Sequence, residues 1–472
     1  MKICSTKLVR PIISPEISAA ERRIMDDSIF KAYDIRGTYP EQINEDLFYK
    51  IGQAYVEFVQ PKGKIAVGRD VRLTSEKLQK VLIQGLTDAG IDVIDIGLVT
   101  TEMMYFTVGN YKLAGGIQVT ASHNPAEYNG LKMVRGDAEP LSGEEGIYAI
   151  RDLVKKNETK VESDKKGVVE EKDVLEDYCR FILKFIDTSL LKPAKLVFNP
   201  NFGLSGEVLK KLVEIGHLPL ELVGLNEKPD GTFPKGRPDP FVPENRPEFV
   251  ALVKSSGADL GVAWDADADR VFFCTKSGHF VESYFMNAML IKYILQKEPG
   301  AKIVYEPRFI WALIDSAHKN GGEAVISRVG HTLIKAKMRE INAYFCGESS
   351  GHTYFRDFWY SDSGMIPLLM VLEIMSQDGD LDVLLKPYYD KYFIPGEVNT
   401  EVVDMTGKIA EIKAKYADGK QTELDGISVE YADWRFNVRP SNTEPLLRLC
   451  LEAKNKELME EKQAEVLKLI RE

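Results

Sequence analysis

The segment AGGIQVTASHNPAEYNGLK, from Ala114 to Lys132, places a serine directly after a run of small and apolar residues. Residues 114–120 are typical of a buried strand, and the polar, turn-rich residues after Pro125 predict a loop. The hydroxyl of Ser122 would then be exposed just past the strand, where a substrate and a base can reach it. For this segment taken alone, a turn that only reverses the chain is the simpler interpretation.

Predicted strands and helices alternate around this segment. Residues 64–70 predict a buried strand, residues 75–90 a helix, and residues 91–96 a second strand. This order and spacing indicate a parallel sheet with crossover helices, in which ligands bind at the carboxyl ends of the strands. Similar βα units recur at 195–264 and 282–346, so we expect several α/β domains. The segment from about 395 onward predicts a smaller α+β domain instead.

Composition excludes several classes of protein. A chain of 472 residues is long enough for several domains, and a net charge of −11 argues against nucleic acid as a partner. No apolar run reaches the length that spans a membrane, so no membrane partner is expected. The five cysteines lie far apart and form no CxxC pair. Zinc and disulfide frameworks are therefore unsupported, and a cytoplasmic location fits best.

A predicted apolar strand leads directly into the sequence DADADR, which begins at Asp265. The carboxylates of Asp265, Asp267 and Asp269 repel one another, and a divalent cation relieves that repulsion. Oxygen ligands point to Mg²⁺ rather than zinc. An EF-hand would need glycine and glutamate where this chain has Arg270 and Lys276, so we reject it. A solvated acidic loop is the remaining alternative, and the apolar strand before it disfavours that interpretation.

Two further polar loops follow predicted strands. GESSGH, from Gly347 to His352, offers groups that can bond the hydroxyls of a sugar, although a simple polar turn is an alternative. RPSNTEP, from Arg439 to Pro445, brings a guanidinium, hydroxyls, an amide and backbone N–H groups onto one short loop between two strands. That set matches the oxygens of a phosphate, with a hairpin turn as the alternative.

Together these motifs resemble those of the α-D-phosphohexomutases, in the branch of phosphomannomutases and phosphoglucomutases. The motifs that carry the resemblance are FKAYDIRG at 30–37, TASHNP with YNGLK at 120–132, DADADR at 265–270, GESSGH at 347–352 and RPSNTEP at 439–445. They occur in this order across most of the chain. Two positions depart from the usual pattern: relatives usually have glycine at Ala266 and an apolar residue at Ser349. If the first position needs a positive φ, Ala266 would be strained.

The resemblance implies an α/β protein of three similar βα domains, with mixed, largely parallel sheets around a central cleft, plus a smaller C-terminal α+β domain. The expected boundaries are 1–170 for the phosphoserine-loop domain, 171–278 for the metal-loop domain, 279–392 for the sugar-loop domain and 393–472 for the phosphate-binding domain.

The resemblance also assigns roles to residues. It implies that Ser122 carries a phosphoryl group and, with Asp265, Asp267 and Asp269, ligates Mg²⁺. The other implied catalytic residues are Lys132, His352, His123 and Arg36, with Arg270 supporting the phosphoserine. The implied substrate-binding residues are Tyr33, His331, Lys335, Glu348, Ser350, Arg439, Ser441, Asn442 and Thr443. Lys132 could act as a base only if burial or neighbouring positive charge lowered its pKa.

The implied reaction interconverts hexose 1-phosphate and hexose 6-phosphate, of mannose or glucose or both, through a phosphoserine and a bisphosphorylated sugar. A hexose 1,6-bisphosphate would be the activator, a hexose phosphate the substrate, and the protein a monomer or weak dimer. Two alternatives remain open. An aspartyl-phosphate sugar phosphatase would carry its phosphate on Asp265 rather than on Ser122. A non-catalytic sugar-phosphate binding protein would not need the Ser122 hydroxyl.

Overall fold

The computed structural model describes residues 25–156, 163, 165–441 and 445–472. Its first sheet has six strands in the order β1-β5-β4-β2-β3-β6, and β4, β2, β3 and β6 are parallel. The strands are β1 (Ile35–Thr38), β2 (Ile65–Arg69), β3 (Val93–Leu98), β4 (Gly115–Val119), β5 (Tyr128–Arg135) and β6 (Val169–Glu171). The helices are α1 (Glu45–Val59), α2 (Ser75–Asp88), α3 (Thr101–Asn110) and α4 (Tyr148–Lys156).

The strand order of this first sheet places the serine loop. From β2 the chain crosses to β3 on one side and then returns to β4 on the other. The carboxyl ends of β2 and β4 therefore face a crevice of the kind that receives ligands in open α/β sheets. The serine loop begins there, directly after Val119.

The second sheet has the order β10-β9-β7-β8 and is parallel except for the pair β9–β10. Its strands are β7 (Ala194–Asn199), β8 (Leu220–Gly224), β9 (Leu260–Trp264) and β10 (Val271–Thr275), and its helices are α5 (Leu175–Ile182), α6 (Ser205–Gly216) and α7 (Pro247–Ser256). Strand β9 is buried along its whole length. The acidic loop joins β9 to β10, so a rigid strand fixes each end of it.

The third sheet has the order β12-β11-β13-β14-β15, with two parallel and two antiparallel pairs. Its strands are β11 (Lys302–Tyr305), β12 (Glu323–Ile326), β13 (Phe345–Gly347), β14 (Thr353–Phe355) and β15 (Ser361–Asp362). Its helices are α8 (Ser283–Lys297), α9 (Trp311–Lys319), α10 (His331–Ile341), α11 (Met365–Asp378) and α12 (Leu381–Tyr389). The GESSGH loop connects β13 to β14.

The last sheet is fully antiparallel, in the order β16-β20-β19-β18-β17. Its strands are β16 (Val398–Glu401), β17 (Lys420–Thr422), β18 (Ile427–Glu430), β19 (Trp434–Pro440) and β20 (Leu446–Ala453), with helices α13 (Met405–Lys415) and α14 (Lys456–Arg471). Three α/β units with mixed, largely parallel sheets and a smaller α+β unit confirm the fold class expected from the sequence.

Local sequence signals set several helix ends. The side chain of Asn44 accepts a hydrogen bond from the Leu47 amide at 3.0 Å at the start of α1. Asn455 does the same for the Leu458 amide at 2.8 Å at the start of α14. At the end of α7, Gly257 adopts φ 65°, a left-handed conformation that suits glycine. These caps satisfy amides and carbonyls that the helix itself cannot pair.

The first three units share one continuous apolar core. The ring of Phe106 on α3 lies 5.6 Å from that of Tyr178 on α5, and Phe185 lies 6.0 Å from Phe355 on β14. Packing at interior density allows little relative movement without a cost in stability. The serine loop, the acidic loop and the GESSGH loop are therefore attached to one packed body, which is formed by the first three units.

The C-terminal unit joins this body through a buried ion pair. Arg435 donates to Glu452 at 2.9 Å and to the Pro307 carbonyl at 2.9 Å. Glu452 also accepts from the Tyr284 hydroxyl at 2.6 Å and from the Ile310 amide at 2.8 Å. A charged pair that is fully hydrogen-bonded in this way fixes one orientation between the two units.

Among the described residues, no helix combines the length and the apolar character needed to cross a lipid bilayer.

The predicted boundary at residue 170 falls inside β6. This strand pairs in parallel with β3 and extends the first sheet, and all three of its residues are exposed. A strand without buried apolar residues leaves no periodic signal, so the sequence does not reveal this strand.

Candidate active site

The serine loop directs Ser122 at the acidic loop of the second unit. The Ser122 hydroxyl donates to Asp265 at 3.0 Å and lies 3.1 Å from Nδ1 of His123. Its backbone adopts φ 50°, and its amide donates to the Thr120 hydroxyl at 2.9 Å. The expectation of an exposed hydroxyl was wrong: Ser122 is 1% exposed, because the acidic loop packs over it. A non-glycine residue held in the left-handed region marks a loop whose surroundings impose its shape.

The residue that imposes this shape is Arg72, which was not among the site residues predicted from the sequence. Arg72, which follows β2, donates to the carbonyls of Ser122 at 2.7 Å and Asn124 at 2.6 Å. It also donates to the Pro125 carbonyl at 2.6 Å, and its Nε bonds Asp70 at 3.1 Å. An arginine suits this task because its planar fork offers five donors in fixed directions. Its position just after a predicted strand, at the edge of the sheet where ligands bind, was the sequence feature that could have pointed to it.

The three alternating aspartates converge as expected. Oxygen atoms of Asp265, Asp267 and Asp269 lie within 4.8 Å of one another, and all three residues are buried. One oxygen of Asp267 and one of Asp269, Oδ1 in each case, are buried without a hydrogen-bond partner. Burial and the neighbouring carboxylates raise the pKa of Asp265 well above its ordinary value. These residues fit a divalent cation, which supplies the missing positive charge and accepts hard oxygen ligands.

Lys132 reaches the same carboxylates from β5. Its Nζ lies 2.6 Å from Asp267 and also contacts Asp269. Burial alone would lower the pKa of Lys132, but these two carboxylates reverse that effect and raise it above its ordinary value. The lowered pKa that a basic lysine requires is therefore not found in this arrangement.

Backbone strain in the acidic loop lies at the second spacer. Ala268 adopts φ 65°, whereas Ala266 is not among the residues with positive φ. The first spacer therefore does not need a positive φ, and Ala266 carries no strain of that kind. Alanine tolerates the left-handed region at a cost of roughly 1–2 kcal/mol.

His352 and Arg270 border the aspartates. The Nε of Arg270 donates to Nε2 of His352 at 3.0 Å, and the Arg270 amide donates to Asp265 at 3.2 Å. Nδ1 of His352 lies 3.0 Å from Asp362, whose other oxygen is 2.6 Å from Nζ of Lys335. We assign the proton of His352 to Nδ1 on this network, which leaves Nε2 as the acceptor. Asp362 was missed because it stands alone in sequence, at the end of a two-residue strand.

The GESSGH loop presents Glu348 through ordered neighbours. Arg308 lies 3.0 Å from Glu348, and the Tyr354 hydroxyl donates to it. Ser350 donates to Glu348 at 3.4 Å. Ser349, the unusual residue of the loop, donates to Glu306 at 2.9 Å. Glu348 therefore keeps a fixed orientation, and the polar Ser349 has a polar partner.

Residues of the first and third units meet near this loop. The Tyr33 hydroxyl donates to the Val329 carbonyl at 3.2 Å, and its ring lies 5.6 Å from that of His331. Burial raises the pKa of Tyr33, with further contributions from Asp425 and Glu348. Asp425 and Arg439 belong to the C-terminal unit, and they shift the pKa of Tyr33 in opposite directions. The C-terminal unit therefore also lies near Tyr33.

Arg36 and His123 both take part in hydrogen bonds that hold the serine loop in place. Arg36 donates to the Asn124 side chain at 2.8 Å and pairs with Asp34 at 2.7 Å. The His123 carbonyl accepts from Arg237 at 3.2 Å. Burial lowers the pKa of His123 well below its ordinary value, and nearby arginines add to that effect. Burial and Lys335 lower the pKa of His331 in the same way.

The last loop carries its own charged cluster. Arg439 lies 3.1 Å from Glu397, and Arg448 lies 3.5 Å from the same carboxylate. Arg448 also donates to the Ser441 hydroxyl at 3.2 Å. Asn442 and Thr443 lie outside the described residues. The described part of this loop thus carries guanidinium and hydroxyl groups, and Glu397 pairs with both arginines.

Comparison with known proteins agrees with this geometry. Four family models match the chain: Phosphoglucomutase/phosphomannomutase, alpha/beta/alpha domain I over 27–161, domain II over 176–278, domain III over 282–392, and the C-terminal domain over 397–469.

Individual relatives match nearly the whole chain. A protein of Escherichia coli named phosphomannomutase is 43% identical over 451 residues, which cover 94% of this chain and 99% of that protein. Phosphohexose mutases of Xanthomonas campestris are 44% identical over 447 residues, with the same coverage. A crystal structure of a phosphoglucomutase/phosphomannomutase family protein from Burkholderia thailandensis has a TM-score of 0.85 at 33% identity, covering 94% of this chain and 97% of that one. The chain therefore belongs to the phosphoglucomutase/phosphomannomutase family.

Proposed function

We propose that this protein is a phosphohexomutase that moves a phosphate between C1 and C6 of a hexose, mannose or glucose or both. The reaction passes through a phosphoserine at Ser122 and a bisphosphorylated sugar. The observation that carries the proposal is the 3.0 Å contact between the Ser122 hydroxyl and Asp265, inside a buried set of three aspartates. The names of the relatives, phosphomannomutase and phosphohexose mutase, support the substrate class.

The three aspartates would hold Mg²⁺, together with an oxygen on Ser122. Bound there, the cation supplies positive charge for a phosphoryl group in transfer. Arg270 lies 3.9 Å from Asp265 and can donate to phosphate oxygens on Ser122. Arg36 and His123 keep the loop in place, so their catalytic role is to orient the serine.

The attacking group is the free hydroxyl of the sugar phosphate. Its oxygen forms a bond to phosphorus, the bond from phosphorus to Ser122 breaks, and the hydroxyl proton passes to a base. His352 would suit this role through Nε2 once Arg270, which donates to that nitrogen at 3.0 Å, turns to the phosphate, and Asp362 lies 3.0 Å from its other nitrogen. Lys132 is the weaker candidate, because Asp267 and Asp269 raise its pKa. In the return step the other phosphate of the bisphosphate passes to Ser122, and the product leaves phosphorylated at the new position.

Recognition must serve both orientations of the sugar. Glu348 and Ser350 would bond its hydroxyls, with Tyr33, His331 and Lys335 bordering the same cleft. Arg439, Ser441, Asn442 and Thr443 would grip the phosphate that does not react. A guanidinium and hydroxyls bind any phosphate oxygen, so the loop accepts the phosphate of C1 and that of C6 alike.

We further propose the four domains expected from the sequence, 1–170, 171–278, 279–392 and 393–472, except that the first boundary moves from 170 to just after Glu171. All of β6 then belongs to the first domain. A hexose 1,6-bisphosphate would activate the enzyme by loading Ser122. We expect the protein to act in the cytoplasm, where its small, charged substrates would occur. We also expect it to be a monomer or a weak dimer. A cleft enclosed by the four domains would protect the phosphoserine from water.

The decisive experiment maps the covalent phosphate. Protein incubated with labelled glucose 1,6-bisphosphate and Mg²⁺ should carry an acid-stable label on Ser122, found by mass spectrometry of peptides. Ser122→Ala should lose the label and the turnover of both mannose 1-phosphate and glucose 1-phosphate. Ser142→Ala is the control: it removes a buried serine of the same unit whose hydroxyl donates to Glu145 at 3.0 Å rather than to the acidic loop.

Each alternative function has its own signature. A label on Asp265 that hydroxylamine removes, with Ser122 unmodified, would support a phosphatase. Unchanged sugar-phosphate affinity and no turnover in either the wild type or Ser122→Ala would support a binding protein.

A further inference from the structure

Helix α3 of the first unit begins on the acidic loop of the second. The Thr101 hydroxyl donates to Asp267 Oδ2 at 2.6 Å, and the Thr101 amide donates to the Asp267 carbonyl at 3.0 Å. Both residues are fully buried. One threonine thus binds the central aspartate through its side chain and its backbone at once.

The partners of Asp267 divide its two oxygens into different roles. Oδ2 accepts from Thr101 and from Nζ of Lys132, both at 2.6 Å. Oδ1 is buried and has no hydrogen-bond partner. Asp269 repeats the pattern, because its Oδ2 accepts from Lys132 and its Oδ1 has none. A buried carboxylate oxygen without a donor is costly unless a cation approaches it.

We propose that Thr101 is a positioning residue of the metal site, which holds Asp267 Oδ2 so that Oδ1 faces the cation. This inference rests on the proposed function, in which Asp265, Asp267 and Asp269 bind the metal. Groups that hydrogen-bond a ligating carboxylate commonly decide its orientation and its affinity for metal. Thr101 donates from a different unit of the fold, so the position of the metal loop is tied to the unit that carries Ser122.

The helix that presents Thr101 is itself fixed. The next residue, Glu102, is buried and accepts from the hydroxyl of Ser363, which precedes α11 of the third unit. Thr101 and Glu102 therefore bind the second and third units from adjacent positions. Removing the Thr101 hydroxyl would leave Asp267 Oδ2 to Lys132 alone, and the carboxylate could then turn about its Cβ–Cγ bond.

The test compares Thr101→Val with Thr101→Ser on the full chain. Valine has the shape of threonine without the hydroxyl, and serine keeps the hydroxyl. Binding of Mn²⁺ to the dephosphorylated protein is followed by the electron paramagnetic resonance signal of free Mn²⁺. Thr101→Val should weaken binding by about 10-fold to 100-fold, the usual effect of losing a group that orients a metal ligand. Thr101→Ser should stay within about threefold of the wild type, because the donor remains.

Thr107→Val is the matched control. Thr107 lies on the same helix and is buried, and its hydroxyl donates to the Met103 carbonyl at 2.7 Å rather than to the acidic loop. It should bind Mn²⁺ as the wild type does. If Thr101→Val does not fold, Thr101→Ala removes the same hydroxyl with a smaller side chain.

The outcomes separate this inference from the proposed function. Wild-type affinity in Thr101→Val and Thr101→Ala would overturn the role of Thr101 and leave the metal site intact. If Asp267→Asn and the wild type both bind no Mn²⁺, the proposed metal site itself fails. Equal weakening in Thr101→Val and Thr107→Val would show a general effect of α3 and would also overturn the inference.

Discussion

The guanidinium of Arg72 donates to the carbonyl of Ser122 at 2.7 Å, across 50 positions of sequence. The same side chain bonds the carbonyls of Asn124, Pro125 and Tyr128. The positive φ of Ser122 is thus held by a cation beneath its loop. The loop is shaped before any substrate binds, which lowers the cost of aligning the serine.

Arg72→Lys should therefore remove the shape of the serine loop while keeping its positive charge. An ammonium group cannot reach four carbonyls in the directions of a guanidinium, so several carbonyls lose their donor. We expect stability to fall by about 2–4 kcal/mol and turnover by about 100-fold. Denaturant unfolding and steady-state kinetics measure the two effects.

The control for Arg72 is Arg180→Lys. In the described part of the chain, Arg180 is exposed on α5 and pairs with Glu176, one turn away. Such a surface pair contributes little, so both measurements should stay near those of the wild type. Full turnover in Arg72→Lys would mean that the serine loop keeps its shape without the guanidinium.

Glu102→Gln should stabilise the protein at alkaline pH. Burial raises the pKa of Glu102 to about 8, although hydrogen bonds from Ser363 and Tyr178 oppose the shift. The folded state therefore binds the proton of the Glu102 carboxyl group more tightly than the unfolded state does. Its contribution to stability is fully present below the unfolded pKa of about 4.5 and is lost as pH rises to about 8.

Glutamine removes this loss because it cannot ionise. The free energy of unfolding of Glu102→Gln should exceed that of the wild type at pH 8.5 by a few kcal/mol more than at pH 5. Denaturant unfolding at the two pH values gives the comparison. Glu76→Gln, at an exposed glutamate on α2, should give no such difference. An equal effect of Glu102→Gln at both pH values would contradict the raised pKa.

Arg435→Met should loosen the C-terminal unit from the third. It leaves the Glu452 carboxylate buried with fewer donors, which costs about 3 kcal/mol. Because the last unit carries Arg439, we expect the KM for the sugar phosphate to rise by roughly tenfold. Hydrogen exchange should also quicken at Ile310, whose amide bonds Glu452.

Lys454→Met serves as the control for Arg435. Lys454 belongs to the same unit and pairs with Asp433 at 2.9 Å, but both side chains are exposed. Its loss should change neither KM nor exchange at Ile310. Wild-type exchange in Arg435→Met would show that apolar packing alone holds the last unit in place.

Much of the fold could be predicted because burial leaves a periodic record. The apolar runs of β2, β4 and β9 marked the strands, and their spacing marked the crossover helices. Strand β6 escaped because exposed residues pair through backbone groups alone, which sequence does not record. The docking of the last unit escaped for a related reason, since Arg435 and Glu452 look like surface residues in sequence.

The site was predictable where its residues are neighbours in sequence. The three aspartates and the serine loop each form a contiguous motif that can be recognised in the sequence. Asp362 and Arg308 contribute through long-range contacts, to His352 and Glu348, that no local pattern encodes. The pKa of Lys132 was likewise unpredictable, because its direction depends on which charges the fold brings nearest.

The two alanines of the acidic loop provide a matched pair for testing backbone strain. Ala266 and Ala268 are both buried, at 2% and 0% exposure, and each stands between two of the three aspartates. Glycine at either position loses one buried methyl and gains similar freedom in the unfolded chain. Only Ala268 has a positive φ, so only Ala268→Gly also relieves a left-handed conformation.

That relief is worth roughly 1–2 kcal/mol, so Ala268→Gly should be more stable than Ala266→Gly by about that amount. Denaturant unfolding of the two variants measures the difference directly, because the costs they share cancel. Equal stability would mean that the loop carries no strain at Ala268. A more stable Ala266→Gly would instead place the left-handed residue at the first spacer.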